Sequence, residues 1–424
     1  MNLRALPKSL VVALAFLSFG VASHGQQSVA QPPKTTVRTV TAFVRVERER
    51  YQIQFDEAVK FLKIAQTTFD SRDFTVQTLR IATQPFPEYT KGMSRSETLQ
   101  FFKNLDGIAQ QNHLMLSIGP ACLAGDDCDA QADLLADILK NTKSIYGSVY
   151  VTNDHGVNWP AVKAAARVTK TLSDGTLHSE GTFHFAAIAS VPQASPFFPA
   201  AYLTGLGHQF AVGLESANEV AAAFRDAPDT ATARRRLVDT LFRLTSDVEN
   251  VALRVDRERG WTYLGLDLSP APSKSASIGA AIETLSKQPF GTSGTMSAVA
   301  VITSAIKEIG LRTTGYSGLM LPVLEDPILA ERWNAGLVSI DALMSYSAVC
   351  GTGLDTVPLP GDVTVDQLAR IIGDLATLSA KWNKPLSARL LPVSGKLAGQ
   401  KTEFSDSALI NAVIHPLSGP EPRQ

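Results

Sequence analysis

Residues 350–362 hold the densest group of chemically capable side chains in the sequence, with one thiol and two carboxylates. The Cys350 thiol is of the type that acts as a nucleophile or positions a reacting group. Asp355 and Asp362 carry the carboxylates that proteins use for acid–base catalysis or for binding a cation. We therefore expect Cys350 and Asp355 to be catalytic and Asp362 to contact the substrate.

Glycines and prolines determine the backbone expected for this segment. Gly351 and Gly353 allow the main chain to approach a ligand closely and to expose its N–H groups, so we expect both to contact the substrate. The prolines restrict the backbone, which predicts a rigid loop. The spacing matches neither a phosphate-binding loop nor a dinucleotide-binding fingerprint. A loop that is rigid only for packing reasons is the structural alternative.

Asp267 is a further candidate because it lies inside the apolar run 264–268. A buried carboxylate without a partner is costly, so this one must be paired, bound or hydrogen-bonded. It is a candidate third catalytic residue or cation ligand. Alternatively, it only accepts backbone hydrogen bonds at the end of a strand. The sequence leaves the functional and the structural interpretation equally open.

Three other polar residues adjoin predicted strands and are candidates for substrate binding. Arg80 lies inside the predicted strand 76–82, and a buried arginine usually has a carboxylate partner. His208 and Glu215 flank the predicted strand 209–214. These two residues reach the same end of that strand only if the strand is short.

Motifs for common cofactors are missing from the sequence. It contains no zinc motif of the His-Glu-x-x-His or Cys-x-x-Cys type and no Gly-x-Ser-x-Gly nucleophile motif. It also lacks a nicotinamide or flavin signature, so the cofactor is unknown. If a metal binds, the available carboxylate oxygens favour Mg²⁺ or Ca²⁺ over zinc.

Strands and helices that alternate along the chain would position these candidates. A capping box of Ser94 with Glu97 indicates one helix start, and a second box indicates another at Thr364. A long amphipathic helix is predicted over 229–258. Strands are predicted at residues 37–46, 76–82, 113–118, 145–151, 182–191, 209–214, 261–268 and 386–393. This alternation predicts one large α/β domain, a closed barrel with a largely parallel sheet and a site at the carboxyl ends of its strands.

The composition excludes several classes of protein. The 424 residues include 39 Lys and Arg against 40 Asp and Glu, which gives a formal charge of −1. Because basic residues are not in excess, we expect no nucleic-acid partner. Apolar residues make up 45% of the chain, enough for a large folded core.

The N-terminal sequence predicts export. A basic start and an apolar run too short for a membrane span are typical of a secretory signal peptide, here residues 1–23. Residues 24–36 are predicted to form a flexible lead. We expect a periplasmic or extracellular protein without a stable membrane anchor after signal cleavage. In such a compartment Cys122 and Cys128 are candidates for a disulfide, which leaves Cys350 unpaired.

Several stretches of the chain resemble an uncharacterised bacterial and archaeal family, known as domain of unknown function 711 or uncharacterised protein family 0210. The likeness covers roughly residues 37–404, and its most specific part is the segment 350–362. The other matching stretches are residues 37–41, 76–83, 117–121, 196–201 and 212–216, together with the strand that holds Asp267.

The resemblance implies a fold more than an activity. Family members look like the ten-stranded α/β barrel of ribonucleotide reductases and pyruvate formate-lyases, and are thought to form homodimers. Those enzymes use radicals and a thiol on a loop inside the barrel, and Cys350 is the one thiol suitably placed in this sequence. Residues 394–400 do not match a glycyl-radical loop, and no redox-active cysteine pair lies near the C-terminus. We therefore expect the barrel without radical chemistry.

These features predict an exported protein with one barrel domain over residues 37–404 and a C-terminal tail over residues 405–424. We expect an enzyme of unknown reaction, with a Cys/Asp site, that acts on a small polar molecule inside the barrel. The alternative is a non-catalytic protein that binds such a molecule with the same residues.

Overall fold

The fold is described for two stretches of the chain. The computed structural model describes residues 35–123 and 128–417. The predicted signal peptide, nearly all of the flexible lead and residues 418–424 of the predicted tail lie outside the described residues. The rest of the predicted tail packs on the body, and its buried side chains include Leu409, Ala412 and Ile414.

Strands and helices alternate through most of the described residues, which confirms the predicted pattern. The strands are β1 (Thr35–Val44), β2 (Phe74–Thr83), β3 (Met115–Pro120), β4 (Ile145–Tyr150), β5 (Thr152–Asn153), β6 (Gly156–Val157), β7 (Phe185–Ala189), β8 (Gln209–Leu214), β9 (Thr262–Asp267), β10 (Gly353–Pro360) and β11 (Leu386–Val393). The helices are α1 (Tyr51–Asp70), α2 (Phe86–Thr90), α3 (Arg95–Gln111), α4 (Cys128–Lys140), α5 (Trp159–Gly175), α6 (Ala217–Phe224), α7 (Thr230–Arg259), α8 (Ile278–Ser286), α9 (Thr295–Glu308), α10 (Pro327–Asn334), α11 (Ile340–Tyr346) and α12 (Val365–Trp382), with a short 3₁₀ helix at Leu177–His184. Within the described residues, no helix is both long enough and apolar enough to cross a membrane.

Helix boundaries follow the local sequence. The capping boxes predicted at Ser94 and Thr364 are confirmed, and they open α3 and α12. The Asn158 side chain accepts a hydrogen bond from the amide of Ala161 and caps α5. The predicted long helix is α7, which ends at Gly260 in the left-handed conformation that glycine adopts without a Cβ penalty. The apolar stripe of α7 is buried, as its spacing predicts.

The described strands form a mixed nine-stranded sheet and a separate β5–β6 pair. The order across the sheet is β10-β11-β7-β4-β3-β2-β1-β8-β9. Neighbouring strands are parallel except at two junctions, β11 with β7 and β1 with β8. Strands β1, β2, β3, β4 and β7 therefore form a central parallel block, with a pair of opposite direction on each side. The fold is α/β, and its sheet is largely but not wholly parallel.

Within the described residues, strand pairing does not close this sheet into the predicted barrel, because β10 and β9 remain edges. Each edge nevertheless makes one isolated bridge to the same segment of chain. Leu266 of β9 pairs with Thr313, and at the other edge Asp355 of β10 pairs with Pro322. Side chains of β1 and β11 also both contact Glu325, although a flat sheet would hold these strands roughly 24 Å apart. The sheet therefore curves strongly around an interior.

The expectation of a rigid loop at residues 350–362 is wrong for most of the segment. Residues Gly353–Pro360 form strand β10, and all of them are buried. The prolines are compatible with a strand because β10 is an edge of the sheet, where a missing N–H interrupts fewer ladder hydrogen bonds. Within β10, Pro358 pairs with Leu391 of β11. The prolines therefore mark the border of the sheet and not a turn.

A disulfide joins Cys122 and Cys128, whose Cα atoms lie 5.4 Å apart. Cys122 follows β3, and Cys128 is the first residue of α4, so the bond ties the end of this strand to the start of the next helix. The residues between the two bonded cysteines lie outside the described part of the chain. Cys350 is a free, buried thiol.

Candidate ligand-binding site

A cavity of about 420 Å³ lies on the inner side of the curved sheet. This volume falls within the range of roughly 300–1,000 Å³ that is typical of small-molecule sites. Side chains from β1, β2, β3, β4, β7, β10 and β11 line it, together with loops that precede or follow strands. The charged residues among them are Arg38, Arg80, Glu325, Asp355, Arg389 and Asp406.

A chain of ion pairs crosses one wall of this cavity. Arg38 of β1 lies 3.3 Å from a carboxylate oxygen of Glu215 and 3.5 Å from one of Glu325. Arg389 of β11 contacts the other oxygen of Glu325 and donates from Nε to Asp355 at 2.6 Å. Glu325 therefore links two arginines from strands that are far apart in the sheet. Acidic and basic residues therefore alternate along this chain of ion pairs, in the order Glu215, Arg38, Glu325, Arg389 and Asp355.

Arg389 is the most tightly held member of this chain. Burial alone would lower the pKa of its guanidinium, but Asp355 and Glu325 outweigh burial and raise the pKa above its ordinary value. The guanidinium also lies 4.8 Å from the ring centre of Phe183. These contacts fix the side chain in one orientation, so Arg389 holds Asp355 and Glu325 in place at the cavity wall.

Arg80 of β2 differs from the other two arginines because no carboxylate of the described residues pairs with it. Its Nη1 donates to the carbonyl of Pro196 at 3.4 Å, and its guanidinium lies 5.0 Å from the ring centre of Phe198. Its Nε is buried and has no hydrogen-bond partner. Burial, with a smaller effect from the charge of Arg38, lowers the pKa of Arg80 to about 9. The side chain is therefore still a cation at neutral pH, and it lines the cavity.

Aromatic side chains also line the cavity, among them Tyr146, Phe198 and Tyr316. Tyr146 of β4 stacks on His184 with ring centres 4.3 Å apart, and it also packs against Phe198. Burial raises the pKa of Tyr146 and of Tyr316, so both phenols remain protonated at neutral pH. Burial lowers the pKa of His184, whose Nδ1 lies 3.1 Å from a backbone carbonyl. The cavity thus offers apolar ring faces and neutral hydrogen-bonding groups.

Two further polar groups at the cavity are not fully satisfied. Thr352 is buried, and its Oγ1 has no hydrogen-bond partner. Asp406 accepts a hydrogen bond at Oδ1 from the amide of Ala408 at 2.8 Å, and no basic residue in the described chain pairs with it. Buried polar atoms are normally hydrogen-bonded, so the unsatisfied Oγ1 of Thr352 indicates a point where a ligand would bind. Asp406 is half-buried, so its carboxylate is accessible from the cavity without being a buried unsatisfied group.

The three residues predicted to be catalytic do not meet in one place. Asp355 lines the cavity, but Arg389 neutralises it. Neither Cys350 nor Asp267 is among the residues that line the cavity. The sulfur of Cys350 accepts a hydrogen bond from the amide of Gly353 at 3.4 Å, within the turn that precedes β10.

Hydrogen bonds from neighbouring residues satisfy the carboxylate of Asp267. Its carboxylate accepts hydrogen bonds from the amide and hydroxyl of Ser269 at 3.0 and 2.6 Å. It also accepts from the amides of Tyr316 and Ser317 at 2.7 and 3.0 Å. Burial raises the pKa of Asp267, and the hydrogen bonds partly oppose this effect. The structure thus places Asp267 as an anchor for the 314–317 turn, a role that the sequence left open.

The predicted substrate-binding residues divide into two groups. Arg80 lines the cavity, and Glu215 adjoins it through its contact with Arg38. His208 and Asp362 do not reach it: His208 is an exposed residue at the opposite end of β8 from Glu215, and Asp362 is exposed beyond β10. The His208 ring stacks on Trp261 instead.

The two glycines of the predicted loop act in close backbone packing. A Cβ on Gly351 would lie 2.2 Å from the carbonyl carbon of Gly318, so this position admits no larger residue without a shift. Gly353 has φ of +96°, and a Cβ there would lie 2.6 Å from the carbonyl oxygen of Ser387. Both glycines thus allow neighbouring segments to approach, and neither lines the cavity.

Sequence reasoning missed Arg38, Arg389, Glu325 and Asp406 as site residues. The signal for the first two was the same as for Arg80, a charged residue inside a predicted strand. The predicted strands 37–46 and 386–393 contain Arg38 and Arg389. Glu325 and Asp406 lie outside the strands, and no local pattern distinguishes them from exposed acids. Among the described residues, no group of three or more His, Cys, Asp or Glu side chains is arranged to hold a metal ion.

Fold and cavity together define an α/β protein whose curved mixed sheet encloses a cavity with charged lining residues. The model of the family described as "Uncharacterised ACR (DUF711)" matches residues 29–406, and the chain belongs to this family.

Curated relatives named UPF0210 protein support the same assignment. The protein of Pyrobaculum islandicum is 30% identical over 349 residues, which cover 76% of this chain and 75% of the relative. That of Pyrobaculum arsenaticum is 34% identical over 64% of this chain and 62% of its own length. The protein of Acetivibrio thermocellus is 26% identical over 82% of this chain and 80% of its own length.

Proposed function

We propose that this protein binds a small organic anion, a carboxylate, in the cavity inside its curved sheet. The observation that carries the proposal is Arg80, a buried cation with no acidic partner among the described residues and with an unsatisfied Nε. An unpaired buried charge destabilises a fold. A ligand that supplies the missing anion would form an ion pair with Arg80 and offset that cost, which favours binding. The phenols and the Thr352 hydroxyl offer further hydrogen bonds to such a ligand.

The geometry favours a binding protein over the enzyme first predicted. Cys350 and Asp267 lie away from the cavity, and Asp355 is held in an ion pair, so no nucleophile or free base adjoins Arg80 from this group. The protonated phenols donate hydrogen bonds more readily than they remove protons. Binding requires only the arrangement already described.

Titration calorimetry of the purified protein with a panel of small carboxylates tests this proposal. We expect saturable binding by the unmodified protein and at least about a tenfold weaker affinity in Arg80→Met, because a charge-assisted hydrogen bond is lost. Arg254→Met is the matched control, since Arg254 is an exposed helix residue paired with Glu258. Equal affinity of the Arg80→Met and Arg254→Met variants for a carboxylate would refute the proposal. So would a lack of binding of every carboxylate by the unmodified protein and both variants.

We also propose that the segment between Thr313 and Pro322 completes a closed barrel. Support comes from the two bridges that this segment makes, one to each edge of the sheet. The amide of Thr314 donates to Leu266 at 2.9 Å, and the amide of Val323 donates to Asp355 at 3.0 Å. If the barrel is closed in solution, these two amides exchange hydrogen as slowly as those inside β9. Fast exchange at both would indicate an open sheet.

Export is a further proposal, supported by the bonded Cys122 and Cys128, because disulfides persist mainly in oxidising compartments. Fractionation of the producing cell, followed by mass measurement of the mature chain, tests it. We expect a periplasmic or extracellular protein shortened by about the length of the predicted signal peptide. A full-length chain in the cytoplasm would contradict export. Native mass spectrometry of the same sample reports whether the chain forms the expected homodimer.

A further inference from the structure

We infer that the ligand is a zwitterion, an amino acid whose carboxylate binds Arg80 and whose ammonium group binds Asp406. This inference rests on the proposed function, since it adds a second recognition group to the same cavity. The cavity contains two charged side chains without an oppositely charged partner in the described part of the chain, one of each sign. A ligand that carries both charges satisfies both residues at once.

Asp406 is held at the cavity by contacts that leave its carboxylate available. The carboxylate of Glu180 accepts hydrogen bonds from the amide and hydroxyl of Ser405, the latter at 2.8 Å, and from the amide of Asp406 at 3.1 Å. These bonds fix the backbone of Asp406. Its own Oδ1 accepts from the amide of Ala408, and no contact to Oδ2 is present among the described residues. The side chain thus has a defined position and a free oxygen.

The charge balance of the cavity favours a zwitterion over a dianion. The ion-pair chain contains three carboxylates, those of Glu215, Glu325 and Asp355, and two guanidinium groups. The formal charges of these five residues and of Arg80 sum to zero, although Arg80 pairs with none of the three carboxylates, and Asp406 then adds one net negative charge. A dianion such as a phosphate monoester would bring two more negative charges beside these carboxylates, which Coulomb repulsion disfavours. A zwitterion adds no net charge.

The remaining surface of the cavity suits an apolar side chain on that amino acid. Met115, Phe197, Phe198 and Met320 line the cavity, and they offer polarisable and aromatic faces without hydrogen-bonding groups. A mostly apolar lining with a few charged groups is the usual way in which a site orients a small molecule. We therefore place apolar amino acids ahead of polar ones as ligands.

Calorimetry with matched pairs of compounds tests this inference, each pair differing only in the amino group. The pairs are leucine with isocaproate, phenylalanine with hydrocinnamate, and γ-aminobutyrate with butyrate. For at least one pair we expect the unmodified protein to bind the amino acid about tenfold or more tightly than its plain acid, as one charge-assisted hydrogen bond implies. In Asp406→Asn this ratio should fall to about one, while the affinity for the plain acid stays within about twofold.

The Asn side chain keeps the oxygen that accepts from Ala408, so the variant should fold like the parent. Asp374→Asn, an exposed residue of α12, is the matched control and should keep the parent's ratio. Plain acids that bind as tightly as the amino acids would overturn the inference and leave the proposed anion site standing. A preference for amino acids that survives Asp406→Asn would overturn the role of Asp406. Absence of binding by every compound would overturn the inference and the proposed function together.

Discussion

Arg80 on β2 and Asp267 on β9 are both buried charged residues inside strands of the sheet, yet the surrounding chain satisfies only one of them. Asp267 is completely buried, and four hydrogen bonds from Ser269, Tyr316 and Ser317 saturate it. Arg80 is buried against aromatic rings with an unsatisfied Nε and faces a cavity. A buried charge in a strand is therefore evidence for a ligand only where the protein itself fails to satisfy it.

Local backbone packing produces this difference. The turn that covers Asp267 passes so close that a Cβ on Gly315 would lie 2.2 Å from its Oδ2, and Gly315 has φ of +63°. Glycine at this position lets the amides of the turn reach the carboxylate. Near Arg80 the covering residues are Pro196 and Phe198, which offer a carbonyl and a ring face but no carboxylate. The first region is closed by the chain, and the second is open to the cavity.

Among the changes that test this comparison, removal of the Asp267 carboxylate should have the largest effect on the free energy of unfolding. We expect Asp267→Ala to lower the free energy of unfolding by about 3–5 kcal/mol, because several buried donors lose their acceptor together. Denaturant titration followed by circular dichroism measures the change. A loss below about 1 kcal/mol would mean that the turn is held by other contacts and that the two regions differ less than their geometry indicates.

Arg80 should respond in the opposite direction. In the absence of ligand, Arg80→Met removes an unpaired buried charge and keeps most of the apolar volume, so we expect the free energy of unfolding to rise by about 1 kcal/mol. The same denaturant titration measures it, with Arg254→Met as the surface control. A clear loss of stability in Arg80→Met would show that its contacts with Pro196 and Phe198 stabilise the fold, which would remove the contrast with Asp267.

Much of the fold could be predicted from the sequence, because local signals set it. The capping boxes at Ser94 and Thr364 and the apolar spacing of α7 locate helices within one or two residues. The segment 350–362 was misread because glycine, proline and aspartate are turn residues as well as residues tolerated in an edge strand. Which strand lies at an edge is a property of the assembled sheet and is not visible locally.

The candidate site could be predicted only in part, for a related reason. Arg80 was identifiable as a buried charge, but its lack of a partner depends on residues distant in the sequence. Glu325 lies between Arg38 and Arg389, which are 351 positions apart in the numbering of this chain. Such a contact arises only when the sheet curves. Chemical type alone therefore directed attention to Cys350, whereas the tertiary structure directs it to Arg80.

The pH dependence of stability gives a smaller and more selective test of the Asp267 region. Burial raises the pKa of Asp267, so the folded protein holds this proton more tightly than the unfolded chain does. The stabilising effect of the protonated carboxyl is fully present below the unfolded pKa of about 4 and is lost as the pH rises towards the folded pKa. The stability of the parent relative to Asp267→Asn should therefore decrease as the pH rises above the unfolded pKa of about 4.

Denaturant titrations of both proteins at each pH measure this difference, and the other titrating groups cancel because the two chains share them. A relative stability that increases with pH would mean that the four hydrogen bonds outweigh burial and stabilise the ionised carboxylate. Asp267 would then be an ionised carboxylate that the hydrogen bonds of the protein stabilise fully, and its contrast with the unpaired Arg80 would become sharper.

The smallest effect on ligand binding is expected at Cys350, the residue that the sequence made most prominent. Its side chain is buried next to the start of β10 and does not line the cavity. We expect Cys350→Ala to lower the free energy of unfolding by about 1 kcal/mol through lost packing, with ligand affinity unchanged. Denaturant titration and calorimetry on the same sample separate these two quantities. A large loss of affinity without a loss of stability would place the thiol in the functional region after all, because packing alone cannot produce that combination.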